Sequence, residues 1–343
     1  MKHIGKVRAI TAGALALSAM IVAFGGIGPA VADEPVTLRF SYSGPPSSPY
    51  LANAVVPWAN QVMADSDGTL RIDIVPGSRL ATMANTYDRL VAGVFDIGFS
   101  LQGSSPGKFP RTDIVEFPYL VKDASSGSRA LWQLFARGLL AEDYKEVKPL
   151  ALFVFTPDAL HFRVPVKGVA DLKGMKISSG EQMSGLYLSK LGAIPVSMTP
   201  SELYTSLSQR LIAGITEGWT GMLQFKLDEV TTHHLDIPVG SEPGYVLMNK
   251  QSYEKLPPKA KEAIDKNSGL PFSMAWARTL DGVAAKQHDT VSNQPNQTIV
   301  KLSPEESQHF EAVAMQLREE KLGEVPNGPE LLKAIQEELK AGQ

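Results

Sequence analysis

The residues that could carry covalent or metal chemistry sit in short motifs whose neighbours decide the matter. Gly103-Ser-Ser-Pro-Gly107 has the Gly-x-Ser-x-Gly spacing of a serine-hydrolase nucleophile elbow and follows an apolar strand pattern. That elbow needs the residue after its nucleophile to donate a backbone N–H to an oxyanion, and Pro106, next to Ser105, has none. Ser252-Tyr-Glu-Lys255 has the Ser-x-x-Lys spacing of penicillin-binding enzymes, yet it lies at a helix start between Asn249 and Pro257 without the companion motifs. His233 and His234 are adjacent, so a strand sends them to opposite faces and a helix turns them about 100° apart, neither of which makes a metal pair. The chain has no cysteine, no His-x-x-x-His, no Gly-x-x-x-x-Gly-Lys and no Gly-x-Gly-x-x-Gly, so neither a metal nor a phosphate-bearing cofactor is expected. Aromatic, hydroxyl and amide side chains around a few arginines remain, without a nucleophile, base and orienter in series. That set suits recognition better than catalysis.

The stretch from Leu160 to Ser179 concentrates it. A strand pattern, a turn, an arginine and a second strand follow in quick succession, which reads as the floor of a binding cleft. Arg163 keeps its charge among apolar neighbours, so it either meets a structural carboxylate or waits for one carried by a ligand.

The elements that must position these residues alternate between two periods. Thr37–Tyr42 alternates apolar and polar residues and runs into a Ser/Gly/Pro loop. Leu51, Val55, Trp58, Val62 and Met63 recur at helical spacing, and a second strand follows over Thr69–Val75. A helix around Met83–Ala92 leads to the apolar strand Val94–Leu101, of the kind buried on both faces, as is Pro149–Phe155. This strand, helix, strand alternation favours a mostly parallel sheet with covering helices, which binds ligands at loops beyond the carboxyl ends of its strands. Gln102 opens one such loop. Tyr42 and Phe155 end strands and either pack in the core or face a ligand. Thr199-Pro-Ser-Glu202 and Ser303-Pro-Glu-Glu306 are helix starts, each with a hydroxyl cap, proline and a glutamate three residues after the cap.

Residues 1–32 have the layout of an export signal: Lys2, Lys6 and Arg8, then an apolar run, then Ala30-Val31-Ala32, with cleavage expected after Ala32. Losing three cations and no acids moves the formal charge from -3 to -6. No basic block remains to neutralise phosphates, which argues against nucleic acid and anionic membrane as partners. A secreted chain without disulfides must rely on a large core, and roughly 310 residues support two domains.

Phe162-Arg163, Val169-Ala-Asp-Leu-Lys-Gly-Met-Lys-Ile177 and Leu191-Gly-Ala-Ile-Pro-Val-Ser-Met-Thr-Pro-Ser-Glu-Leu-Tyr-Thr-Ser-Leu207 resemble the solute-binding proteins of tripartite ATP-independent periplasmic (TRAP) transporters. Val91–Gly98, Phe109-Pro110 with Glu116-Phe-Pro118, and Gly214–Trp219 fit the same pattern in the same order. The resemblance implies an α/β fold of the periplasmic-binding-protein kind, with two α/β domains and mixed sheets around a central cleft, joined by crossing strands and a long helix. It places 33–158 with 247–285 in one domain and 159–246 with 286–343 in the other. It implies closure over a small organic acid, delivery to the permease subunits of an ion-gradient-driven transporter by transient docking, periplasmic location and no enzymatic activity. The family usually reads Lys-Ile-Arg where this chain has Lys-Ile-Ser178, and that arginine clamps a ligand carboxylate. Arg163 is then the surviving cation, with Ser178 or Ser179 as a neutral donor. Glu217 stands where some members have a ligand-contacting asparagine. Trp219 becomes a cleft wall on this resemblance, or core by its place after a helix. If two of Tyr42, Phe155 and Trp219 line the cleft, an aromatic or bulky apolar acid is expected. An exported serine hydrolase using Ser105, or a binding protein serving a sensor, is the alternative.

Overall fold

A computed structural model describes residues 34–342, so the expected export segment and its cleavage point lie outside the described residues. Its strands are β1 (Val36–Tyr42), β2 (Leu70–Pro76), β3 (Ile97–Leu101), β4 (Val147–Val154), β5 (Ala159–Phe162), β6 (Lys176–Ser179), β7 (Ile194–Ser197), β8 (Gly214–Glu217), β9 (His233–Leu235), β10 (Pro243–Asn249) and β11 (Thr298–Ile299). They form two mixed sheets, ordered β2-β1-β3-β10-β4 and β11-β9-β5-β8-β6-β7. In the first, β1 runs parallel to β2 and β3, and β10 enters antiparallel between β3 and β4. In the second, β6 runs parallel to β7 and β8, while β5 runs antiparallel to β8 and β9.

The uniformly apolar strands are explained by a core on each face. Along β4, Ala151 and Phe153 enter one cluster with β1, β3 and the long helix Leu270–Ser292. Leu152 and Val154 enter the opposite cluster, with helix Ala124–Ala136 and the C-terminal helix Gly328–Ala341. Successive strand side chains point to opposite faces, so a strand covered on both sides has no polar positions to offer. The second sheet is likewise packed on both faces.

Three passages join the sheets. Phe155–Asp158 leads from β4 into β5, and Gly240–Glu242 leads into β10 alongside it, held by Phe155 N–H to Glu242 O at 2.9 Å and Asp158 N–H to Gly240 O at 2.8 Å. The third is the helix Leu270–Ser292, whose first half (Phe272, Trp276, Leu280) packs in the first sheet's core and whose second half (Ala284, Val291) packs in the second's. Trp276 is fully buried, with its ring 4.3 Å from Phe153 and 4.8 Å from Phe99 between centroids. The C-terminal helix follows the second sheet in sequence but packs through Leu331, Ala334 and Ile335 beside the first.

Candidate ligand site

Strand β3 of one sheet and strands β6 and β7 of the other end at the same space. The loop after β3 (Gln102 to Phe109, with Asp113 and Glu116 behind it) and the loop after β6 (Ser179 to Gly185, with Pro195 and Ser197) line a cavity of 560 Å³. Ends of parallel strands leave turns free to carry side chains rather than ladder bonds, which is why the site forms here.

Gln102 and Ser179, both expected from the sequence, line this cavity. Ser179 is buried, with its hydroxyl donating to Glu181 O at 2.8 Å and 2.6 Å from Ser184 Oγ. Glu217 ends β8 and lies within electrostatic reach of Glu181, a cavity residue. Phe155 is half-buried at the crossing and packs edge-on against Tyr50, 6.1 Å between centroids.

The other expected residues go elsewhere. Arg163 follows β5, and because β5 runs antiparallel to β8, pairing Ala159 with Glu217 and Phe162 with Gly214, Arg163 lies beside Ala213 at the entry end of β8. Glu217 is four residues along at the exit end, about 13 Å away at the rise of a strand. Among the described residues no carboxylate lies within ion-pair distance of Arg163, which is half-buried and so keeps some water. Ser178 is 1% exposed inside the sheet, between Val196 and Ile215, and is absent from the cavity lining. Tyr42 is core: its ring stacks on Phe99 at 5.0 Å and its hydroxyl meets Ser48 Oγ at 2.7 Å. Trp219 is also core, donating Nε1–H to Asp236 at 2.8 Å and packing against His161 and His288.

The motifs set aside on mechanism have structural explanations. Asn249 caps helix Lys250–Glu254 by accepting from Ser252 N–H, and Ser252 Oγ donates to Asp96 at 2.7 Å. His234 turns away from His233 to meet His161, their Nδ1 atoms 2.7 Å apart. Ser105 lines the cavity, with no histidine among the lining residues.

The residues that sequence reasoning missed are acids. Asp113, Glu116 and Glu181 line the cavity, and a Cβ placed on Gly103 would stand 3.6 Å from Glu242 Oε1. Burial lifts the Asp113 carboxyl to about 6, with Asp143 adding to it, and lifts Glu217 to about 8, with Glu181 adding to it. Glu116, Asp158 and Glu242 are held well above the usual carboxylate range first by burial and then by neighbouring charge, Asp113 and Glu181 for Glu116 and mainly Glu181 and Glu217 for Asp158 and Glu242. Glu181 is raised by burial and partly relieved by the Ser184 hydroxyl. The sequence did carry a signal: Glu116 stands in Glu-Phe-Pro, Asp158 in Thr-Pro-Asp, Glu181 just after β6 and Glu242 just before β10.

Comparison with known proteins agrees with this architecture. The family model described as bacterial extracellular solute-binding protein, family 7, matches residues 40–322. A marine metagenome TRAP solute-binding protein specific for aromatic acid ligands, solved with 3-hydroxybenzoate, is 29% identical with a TM-score of 0.82, covering 90% of this chain and 98% of its own. A TRAP solute-binding protein from Rhodoferax ferrireducens with copurified benzoate is 29% identical with a TM-score of 0.80, covering 89% of this chain and 98% of its own. The 2,3-diketo-L-gulonate-binding periplasmic protein YiaO of Escherichia coli is 26% identical over 284 residues, 79% of this chain and 82% of its own. Two mixed sheets, paired crossings, a helix running through both cores and a cavity at the strand ends are thus the frame of a TRAP solute-binding protein of the DctP-like family, to which this chain belongs.

Proposed function

We propose that this chain captures a small organic acid, aromatic or bulky and apolar, in the cavity between its two sheets and delivers it to the membrane subunits of an ion-gradient-driven TRAP permease. The observation that carries this reading is the 560 Å³ cavity at the meeting of the strand-end loops, of a size that encloses a small solute. Relatives of 29% identity were solved with 3-hydroxybenzoate and with benzoate, which supports an aromatic acid as the first class to test. Hinge closure at the two crossings and the long helix sequesters the solute, and the closed form is what a permease distinguishes from the open one. Binding without turnover is the expectation. Ser105 faces the cavity but Pro106 withholds the N–H that an oxyanion would need. Export through residues 1–32 places the mature chain, starting at Asp33, in the periplasm.

Calorimetric titration with benzoate and 3-hydroxybenzoate tests the reading. Saturable binding of one acid per chain, with the acid recovered unchanged, is expected. Absence of binding by every aliphatic, dicarboxylic and aromatic acid in a thermal-shift panel would overturn the acid class.

A further inference from the structure

One turn of the first sheet's half is anchored in the other half. After the short helical segment Thr112–Glu116, the chain buries Phe117, Leu120 and Val121 in a cluster of the first sheet, while Tyr119 between them packs against a cluster of the second. A single peptide unit is held there at both of its polar groups: Tyr119 N–H donates to Pro238 O at 3.0 Å, and Pro118 O accepts from Arg318 Nη2 at 2.8 Å. Both partners belong to the second sheet's half. Pro238 stands between Ile237 and Val239 of that cluster, and Arg318 is on helix Pro304–Lys321, whose Phe310, Ala314 and Leu317 pack in it. Glu116, just before the turn, is met by Gly240: a Cβ there would stand 2.6 Å from Glu116 O, and the φ of 148° also reserves the position for glycine.

Two features of this contact are costly. Tyr119 has a φ of 59°, in the left-handed region that a bulky side chain rarely enters and that persists only where the surroundings over-determine it. Arg318 is 7% exposed, and among the described residues no carboxylate lies within the 4.0 Å of an ion pair with it. A guanidinium buried against a carbonyl loses water that one neutral acceptor only partly replaces. The place of the contact gives these costs a use, because the turn stands beside the hinge. Gly240 opens the crossing into β10, held against the Phe155–Asp158 crossing by its bond from Asp158 N–H. Arg318 lies near the end of its helix, from which the chain returns through Leu322–Glu324 toward the first sheet. Contacts close to a rotation axis survive a domain rotation, whereas those far from it open.

We propose that Pro118–Tyr119 is the pivot of closure, and that Tyr119 and Arg318 are positioning residues for solute capture. They hold the cavity wall formed by Asp113 and Glu116 in register with the second sheet's half while the rest of the first sheet's half rotates. This deepens the reading of the chain as a hinged solute binder and rests on it. Neither Tyr119 nor Arg318 lines the cavity, so they act on the balance between open and closed forms rather than on the solute itself.

The chain has no cysteine, so a pair of introduced ones reports the separation of the two halves cleanly. Asp73→Cys on β2 and Thr205→Cys on helix Pro200–Ser208 are exposed positions, one on each half, for spin labels read by pulsed electron paramagnetic resonance. The measurement is made on solute-free protein in the otherwise wild-type chain and with Tyr119→Ala, Arg318→Met or Tyr119→Phe added. Tyr119→Ala and Arg318→Met should move the mean separation by more than about 2 Å, the size of a domain rearrangement rather than of a side-chain adjustment, and broaden its distribution. Tyr119→Phe keeps the ring and both backbone bonds and should match the wild type. Arg318→Met exchanges a buried charge for an apolar side chain, so the fold tolerates it and it decides alone should Tyr119→Ala unfold. Thermal midpoints show which variants are folded. Separations and widths unchanged in the folded variants would overturn the pivot. Benzoate added afterwards keeps the two readings apart: failure to bind even the wild type would count against the aromatic acid, while the solute-free separations still judge the pivot.

Discussion

At the scale of single residues, the main finding is where charge stands relative to the cavity. Arg163, the cation that the sequence singles out, sits at the entry end of β8, while the acids gather at its exit end. Arg163→Ala should accordingly leave solute affinity within about twofold, whereas truncating a buried, hydrogen-bonded charge that touches ligand costs about 2 kcal/mol or more. A tenfold loss by calorimetry in that variant would return Arg163 to the site. The acids also set a pH dependence. Asp113 is raised to about 6 and Glu217 to about 8 in the fold, above their ordinary carboxylate values, so the folded protein binds more protons than the unfolded chain across that range. Stability of the solute-free protein is then present at the lower pH and lost as pH rises through the folded values. Burial pushes His161 down to about 3, and its contribution has the opposite sign below pH 6.5, which leaves pH 6.5 to 8 to the carboxyls. The thermal midpoint should fall between pH 6.5 and 8, and Glu217→Gln should flatten the slope. A midpoint that rises over that window would contradict the assignment.

At the scale of elements, much of the chain was legible. The apolar run Pro149–Phe155 reads as a strand buried on both faces, and Leu152 and Phe153 do enter opposite cores. Thr199 and Glu202 form the reciprocal capping box that their spacing announces, and Ser303 accepts from Glu306 N–H. Local chemistry decides these features, so a local reading reaches them. The site was legible only in part, because strand direction is a tertiary property. Nothing near Arg163 tells that β5 runs against β8, and this reversal alone carries the arginine away from the loops that Gln102 and Ser179 share. Tyr42 and Trp219 were ambiguous for a related reason: an aromatic near a strand end packs inward or toward a ligand according to what covers it, here Phe99 for one and His161 and His288 for the other. The acids come from segments far apart in sequence and only the fold assembles them. The long helix Leu270–Ser292 is what holds that assembly, and Trp276→Ala should cost about 3–5 kcal/mol as the cavity left among Phe99 and Phe153 goes unfilled. Urea unfolding measures it, and a loss below about 1 kcal/mol would mean that the Trp276 stack does not anchor the long helix.

At the scale of the whole molecule, the frame and the chemistry separate cleanly. Four apolar clusters, two per sheet, flank the cavity, and the backbone passes between the sheets at two crossings and a long helix, with a further return where the C-terminal helix packs back beside the first sheet. Such a frame supports hinge closure over a solute and has no need of a reacting group. Membership of the solute-binding family states the role. Native mass spectrometry of the purified, full-length mature chain tests the central claim most directly. One small organic acid is expected bound per chain, released on unfolding and chemically unchanged after prolonged incubation. A chain that retains no solute, binds none of the acids offered and instead converts an ester or amide would contradict it.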